Sequence, residues 1–291
     1  MIYKGRSTRH HDLHWQINMN YEAEALATPL EEPTGSRALD YETKVFDIMK
    51  SAKIDGLDVG SVNGAGFSNQ GAGDIEATYR GEQFNIEVKL DMFPQMGGTS
   101  IRIDSNEKTC TLVQPDAVDA DAIPFFMKAA KVQDAPLKVW VDFIRKQEPK
   151  ELHSKVPYTI PFGSVTKEAW IAAKNAGLLK EMNATRSFPD TKNIAKAYNR
   201  KNVYYIQIGG AGLFYLGKNP LRLPIPELKG AMDVEFRLGA SGSKVRTVGD
   251  KTYRVVGAGY RCQGRLKSHV KSRYSLDNVK DLHELFEVKS V

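Results

Sequence analysis

The sequence predicts an α/β protein of the mixed, α+β, kind, and three stretches carry the prediction. Residues 74–90 alternate apolar and polar positions with the period of two that marks half-buried strands. Residues 37–53 repeat apolar side chains at helical spacing. From residue 202 to 268 the chain runs as short alternating segments punctuated by glycine-containing turns, the pattern of a strand-rich unit.

Residues 1–36 form an N-terminal extension without a periodic element. His10, His11 and His14 have no further ligand close by in sequence and read as incidental surface histidines. In the helix over 37–53, Leu39, Tyr41, Val45, Phe46, Ile48, Met49 and Ala52 fill one half of the wheel at about 100° per residue. Glu42 falls inside that apolar arc. A carboxylate facing a core is costly unless paired or metal-bound, so Glu42 either serves a site or snorkels to water from the edge of the stripe. LDVGSV at 57–62 reads as a strand. The five glycines of GSVNGAGFSNQGAGD form no phosphate-cradling loop, because no Gly-Lys-Ser/Thr ending follows and the next element is a strand rather than a helix. They read as a flexible loop ahead of Asp74.

The next two segments pair as a hairpin. Ile75, Ala77 and Tyr79 share one face against Asp74, Glu76 and Thr78, and Phe84, Ile86, Val88 and Leu90 share one face against Asn85, Glu87 and Lys89. Gly81 supplies the turn between them. Pro94 and the Gly97–Gly98 pair are expected to end the strand, with TSIRI as a further extended piece. Residues 121–147 read as helical, and 166–183 as a helix with Thr166 at its N-cap. A shorter helix covers 191–201, GGAG at 209–212 makes a turn between strands, and SLDNVKDLHELFEV is a final helix capped by Ser275.

With 291 residues, 41% hydrophobic and 26% charged, the composition is that of an ordinary globular protein. No apolar run approaches the roughly 20 residues needed to span a bilayer, and the basic N-terminus lacks the apolar centre of a secretory signal. Cys110 and Cys262 make neither a disulfide framework nor a cysteine zinc site. No membrane association and a reducing, cytoplasmic setting are therefore expected. The net charge of +6 conceals an asymmetry: residues 192–291 carry 19 Lys and Arg against 8 Asp and Glu. A basic third on an acidic remainder fits a polyanion partner held by Lys244, Arg246, Arg261, Arg265, Lys267, Lys271 and Arg273, or else a solvated basic face with no partner.

The hairpin carries the chemistry. An Asp and a Glu on adjacent strands can share a divalent cation, and Mg²⁺ favours such oxygen ligands. Lys89 lies on the strand face of Glu87, roughly 7 Å along, placed to orient or deprotonate a water and to offset charge developing on a phosphate. An inward Glu42 adds a further ligand. Together these groups suit metal-assisted phosphodiester hydrolysis. The bland alternative is a salt-bridge pair on an exposed sheet face.

Gly73-Asp74, followed by Glu87-Val88-Lys89 with Glu87 thirteen positions after Asp74, resembles the PD-(D/E)XK nuclease superfamily of restriction-endonuclease-like proteins. The resemblance covers residues 38–103. It implies a mixed central sheet flanked by helices, a restriction-endonuclease-like core, and Mg²⁺ or Mn²⁺ as cofactor. Asp74 and Glu87 would be metal ligands, Lys89 the catalytic lysine, and Glu42 an accessory ligand from the first core helix. Gly73 stands where the signature has proline, and no Gln-x-x-x-Tyr element follows downstream. On this reading residues 37–190 are a nuclease core with a helical insertion, and 191–291 a strand-rich basic region, DNA-binding or part of the same sheet. The expected activity is a metal-dependent endonuclease acting on DNA, with RNA as the other candidate substrate. A homodimer and a prokaryotic or phage-infected cell are the corresponding expectations. The rival from another class is a non-catalytic nucleic-acid-binding or assembly protein built on the basic C-terminal region.

Overall fold

A computed structural model describes residues 34–62, 73–104, 107–112, 122–153, 159–160, 164–189, 192–267 and 270–287. The N-terminal histidines and the glycine-rich stretch up to residue 72 lie outside the described residues. In chain order the elements are α1 (Thr34–Ser51), β1 (Leu57–Val62), β2 (Ile75–Tyr79), β3 (Glu82–Lys89), β4 (Gln95–Asp104) and β5 (Thr109–Leu112). Then come α2 (Ile123–Val132), α3 (Asp134–Gln147), α4 (Lys150–His153), β6 (Thr159–Ile160), β7 (Ser164–Thr166), α5 (Lys167–Asn175), α6 (Leu178–Met182), β8 (Thr185–Phe188) and α7 (Lys192–Arg200). The chain continues through β9 (Val203–Ile208), β10 (Gly212–Tyr215), the long hairpin β11 (Met232–Val248) and β12 (Lys251–Leu266), and α8 (Val279–Glu287). The architecture is mixed α+β. No described helix is long and apolar enough to cross a membrane.

Two sheets share the strands. The first has the order β1-β2-β3-β9-β10, antiparallel throughout except that β9 runs parallel to β3. The second runs β5-β4-β12-β11-β8, with β6 paired to β4 and β7 to β12. Both draw strands from either side of residue 190, since β3 pairs with β9 and β8 with β11. β9 is buried on both faces, as a central strand with a parallel neighbour must be. Tyr205 enters a core with α1 and α8, while Ile206 and Ile208 enter the larger core with α2, α3 and the second sheet. Its one buried polar side chain, Gln207, donates to the Tyr41 and Ser275 hydroxyls at 3.1 and 2.8 Å and accepts from Leu276 N at 2.9 Å. That satisfaction lets a glutamine sit in the middle of a sheet.

Several local expectations give way to specific geometry. Gly97 and Gly98 lie inside β4 instead of ending a strand. Gly97, at φ 108°, is the extra residue of a bulge where β4 spends three steps from Gln95 to Gly98 against two from Gln263 to Arg265 on β12. Thr166 does cap α5, accepting from Ala169 N at 3.3 Å, but the helix breaks at Gly177 (φ 74°) into α5 and α6. Ser275 does not cap the last helix. Its hydroxyl turns to Asp277 at 2.5 Å, and Asn278 accepts from Lys280 N at the true start.

The β9–β10 turn approaches β3 without space for a side chain. Gly209 N donates to Lys89 O at 2.7 Å, and a Cβ at Gly209 would lie 2.2 Å from Leu90 O. Gly209→Ala is expected to force the two strand ends apart at a cost of about 2–3 kcal/mol, in the range of overpacking substitutions. Differential scanning calorimetry reads this as a lowered Tm, and an unchanged Tm would rule out so close an approach.

Candidate active site

The hairpin that carries the carboxylates is specified locally. Arg80 and Gly81 both have positive φ, 50° and 86°, as the central pair of a type I′ turn requires. The turn sets the register from Tyr79↔Glu82 to Ile75↔Ile86. Continued by one residue, that register brings Asp74 opposite Glu87, so their side chains share a face. Beyond the end of β2 the N–H of Val88 donates to Asp74 Oδ2 at 2.7 Å, which pins the carboxylate between Glu87 and Lys89. Gly73 is the one residue type that fits before it. A Cβ there would meet Asn85 Cβ at 2.8 Å, Ile86 O at 3.0 Å and Val203 Cγ2 at 3.1 Å. A proline, or any residue with a Cβ, would clash at this position.

Ile86 and Val88 point into the core beneath α1, and Glu87 and Lys89 point the other way. Lys89 Nζ bonds Glu87 Oε1 at 2.5 Å. The Tyr198 hydroxyl of α7 donates to the same oxygen at 3.4 Å. Glu42 is only 7% exposed, which decides its two sequence readings in favour of an inward carboxylate, and its Oε2 is buried without a hydrogen-bond partner. Glu42, Glu87, Lys89 and Tyr198 line one cleft of ≈ 570 Å³, with Arg37, Asp91 and Gln95 on its exposed walls.

The electrostatics follow from this crowding. Burial, then the charges of Asp74 and Glu87, push Glu42 up to about 7, with Lys89 pulling the other way. Burial and Glu87 likewise push Asp74 up to about 6, against the pull of Lys89 and the Val88 bond. Burial pulls Lys89 down, but Glu87, Tyr198 and Asp74 outweigh it and hold the ammonium above its usual range. Burial and Glu87 raise the Tyr198 phenol, so it stays protonated and donating. Among the described residues no three His, Cys, Asp or Glu side chains already stand in ligating geometry, and Glu87 is turned to Lys89. The donor set fits a hard cation all the same. Three carboxylates repel one another here, one buried oxygen has no partner, and all are the oxygen ligands that Mg²⁺ and Mn²⁺ take.

Tyr198 escaped the sequence reading. Its only signal is a hydroxyl on the apolar face of α7, beside Ile194 and Ala197, and 111 positions separate it from Glu87. The seven basic residues spread over several surfaces. Lys244 and Arg246 lie towards the tip of the β11–β12 hairpin, and Arg261 faces solvent from β12 across from Arg237. Arg265 pairs with Glu235 at 3.2 Å and donates to Phe93 O at 3.1 Å. Lys267 sits 3.7 Å from Asp233, Lys271 is exposed, and Arg273 pairs with Glu284 at 3.2 Å over the Tyr274 ring. They form no single patch.

Comparison with models of known families, with curated proteins and with solved structures finds no match to this chain.

Proposed function

We propose that the chain is a divalent-metal-dependent nuclease of the PD-(D/E)XK type, an endonuclease hydrolysing DNA phosphodiester bonds. The observation that carries this reading is the meeting of Glu42, Glu87 and Lys89 in one cleft, with Asp74 held on Val88 N behind them and electrostatically coupled to all three. A mixed sheet with α1 and α8 against one face and α7 against the other also agrees with the restriction-endonuclease-like core that the motif implies.

Asp74, Glu87 and the unpartnered oxygen of Glu42 would hold Mg²⁺ or Mn²⁺. When bound, the cation supplies positive charge at the scissile phosphate and makes water a better nucleophile. The chain supplies the rest. Lys89 keeps its proton at neutral pH, so it acts as a fixed cation and donor that orients the attacking water and stabilises charge growing on the phosphate oxygens. Tyr198 donates to the same Glu87 oxygen that Lys89 contacts and helps orient that carboxylate. A water oriented by Lys89 would attack phosphorus and give up a proton to solvent, the P–O bond to the leaving sugar oxygen would break, and that oxygen would take up a proton from solvent.

Supercoiled plasmid incubated with the protein tests this. Nicking is expected with Mg²⁺ or Mn²⁺ and none with excess chelator. Tight, salt-sensitive binding with no cleavage of DNA or RNA under any divalent metal would replace the enzyme by the nucleic-acid-binding reading.

A further inference from the structure

A larger cleft, ≈ 910 Å³, opens beside α7 and contains none of the site carboxylates. Lys192, Lys196 and Arg200 line one wall, and Lys218 and Lys229 line the other. The one carboxylate among its lining residues, Glu227, is paired with Lys229 at 2.7 Å. Asn199 also lines it. The Asn199 amide donates to Ala195 O at 2.7 Å and Leu216 O at 2.6 Å, which fixes its orientation and leaves Oδ1 buried with no hydrogen-bond partner.

We propose that this cleft binds the phosphodiester backbone of the nucleic acid on which the neighbouring site acts, an inference that rests on the nuclease reading. Charge sign selects an anion, and spacing selects a polymer. Residues 192, 196 and 200 are successive turns of one helix face, a row about 12 Å long at 1.5 Å per residue. A lone phosphate cannot span that row, whereas three or four nucleotides at about 3.4 Å each match it. Tyr198 projects about 160° round the helix from Lys196, the centre of the basic face, at 100° per residue. One nine-residue helix thus presents its cations to this cleft and its phenol to Glu87. None of the seven basic residues that the charge asymmetry singles out takes part.

The test is fluorescence anisotropy on the full chain in chelator, with labelled single-stranded and duplex oligonucleotides over a range of salt. Binding in chelator needs no cleavage, so it is independent of whether the chain is an enzyme. Lys192→Gln/Lys196→Gln/Lys218→Gln is expected to weaken binding at least tenfold. It should also flatten the slope of log affinity against log salt by about 2, at roughly 0.7–0.9 per lost phosphate contact. The matched variant Lys128→Gln/Lys131→Gln/Lys138→Gln, on exposed positions of α2 and α3, should change neither. Equal weakening by both variants would reduce the effect to net charge and overturn the cleft. So would an unchanged slope in the first variant with circular dichroism intact, or binding of a fluorescent nucleoside triphosphate but of no oligonucleotide. Single-stranded against duplex and DNA against RNA probes distinguish the source of the backbone. Loss of plasmid nicking with this binding intact would instead remove the nuclease reading and leave the cleft standing.

Discussion

Lys89→Ala is expected to lower the rate of metal-dependent plasmid nicking by about 10²–10³-fold, the scale of removing one preorganised charge-stabilising donor. Oligonucleotide affinity in chelator should stay within about threefold, because binding draws on many phosphate contacts and this is one. The same substitution removes the only ammonium among the groups that pull Asp74 and Glu42 down. Both carboxyls should then titrate still higher, and the metal-free variant should be less stable than wild type at pH 8 and closer to it at pH 5. Magnesium should narrow the gap at pH 8 by supplying the missing charge. Rate and stability are separate readouts of one side chain. Nicking above a tenth of the wild-type rate would reduce the Lys89–Glu87 contact to a surface salt bridge and sink the site assignment.

Glu42→Gln is expected to make the metal-free protein more stable while lowering the nicking rate expected on the nuclease reading. In the folded chain the Glu42 carboxyl titrates at about 7 instead of about 4.5. A group whose folded pKa is raised contributes stability that is present at low pH and lost as pH climbs from the unfolded to the folded value. Wild type should therefore lose stability between pH 4.5 and 7 through Glu42 as well as Asp74, and the variant should lose less, through Asp74 without Glu42. At pH 8 the variant gains on the order of 2 kcal/mol, since a tenfold difference in proton affinity between folded and unfolded chains corresponds to about 1.4 kcal/mol. At pH 4 the two should coincide. Added magnesium should stabilise wild type more than the variant, and nicking should fall about 10–100-fold, as on losing a group that supports a metal site. Thermal denaturation across pH, with and without magnesium, checks all of this. Equal stability of both proteins at pH 8 would place Glu42 outside the electrostatics of the cleft.

The opposed signs in these variants have one origin. Like charges drawn together at the end of the β2–β3 hairpin weaken the metal-free fold, as groups arranged for chemistry commonly do.

Much of the site was legible because it is local. Asp74 and Glu87 are thirteen positions apart, and the alternation of β2 and β3 states which face each side chain takes. Arg80-Gly81 sets a two-residue turn, and that turn fixes the pairing of every residue in the hairpin. Glu42 announced itself as a charge inside an apolar arc. A wheel records that such a residue faces inward but not what it faces, and burial with Asp74 and Glu87 as neighbours is what removed the snorkelling alternative.

The remainder waited on the tertiary structure. Apolar periodicity tells a strand which side to bury but not against which partner, so nothing in VYYIQI named β3 as its parallel neighbour. Tyr198 reached Glu87 only because more than a hundred residues of helices and a second sheet close back onto the first. The C-terminal charge excess was real as a count, yet tertiary contacts decide which cations stand together. Arg265, Lys267 and Arg273 each face a carboxylate at a separate place, and Lys192, Lys196, Arg200, Lys218 and Lys229, the last paired with Glu227, meet across one cleft. Period and turn chemistry act over a few residues and are written in the chain. Pairing between distant segments is decided by which buried surfaces fit once the chain has closed, and that is a property of the packed molecule alone.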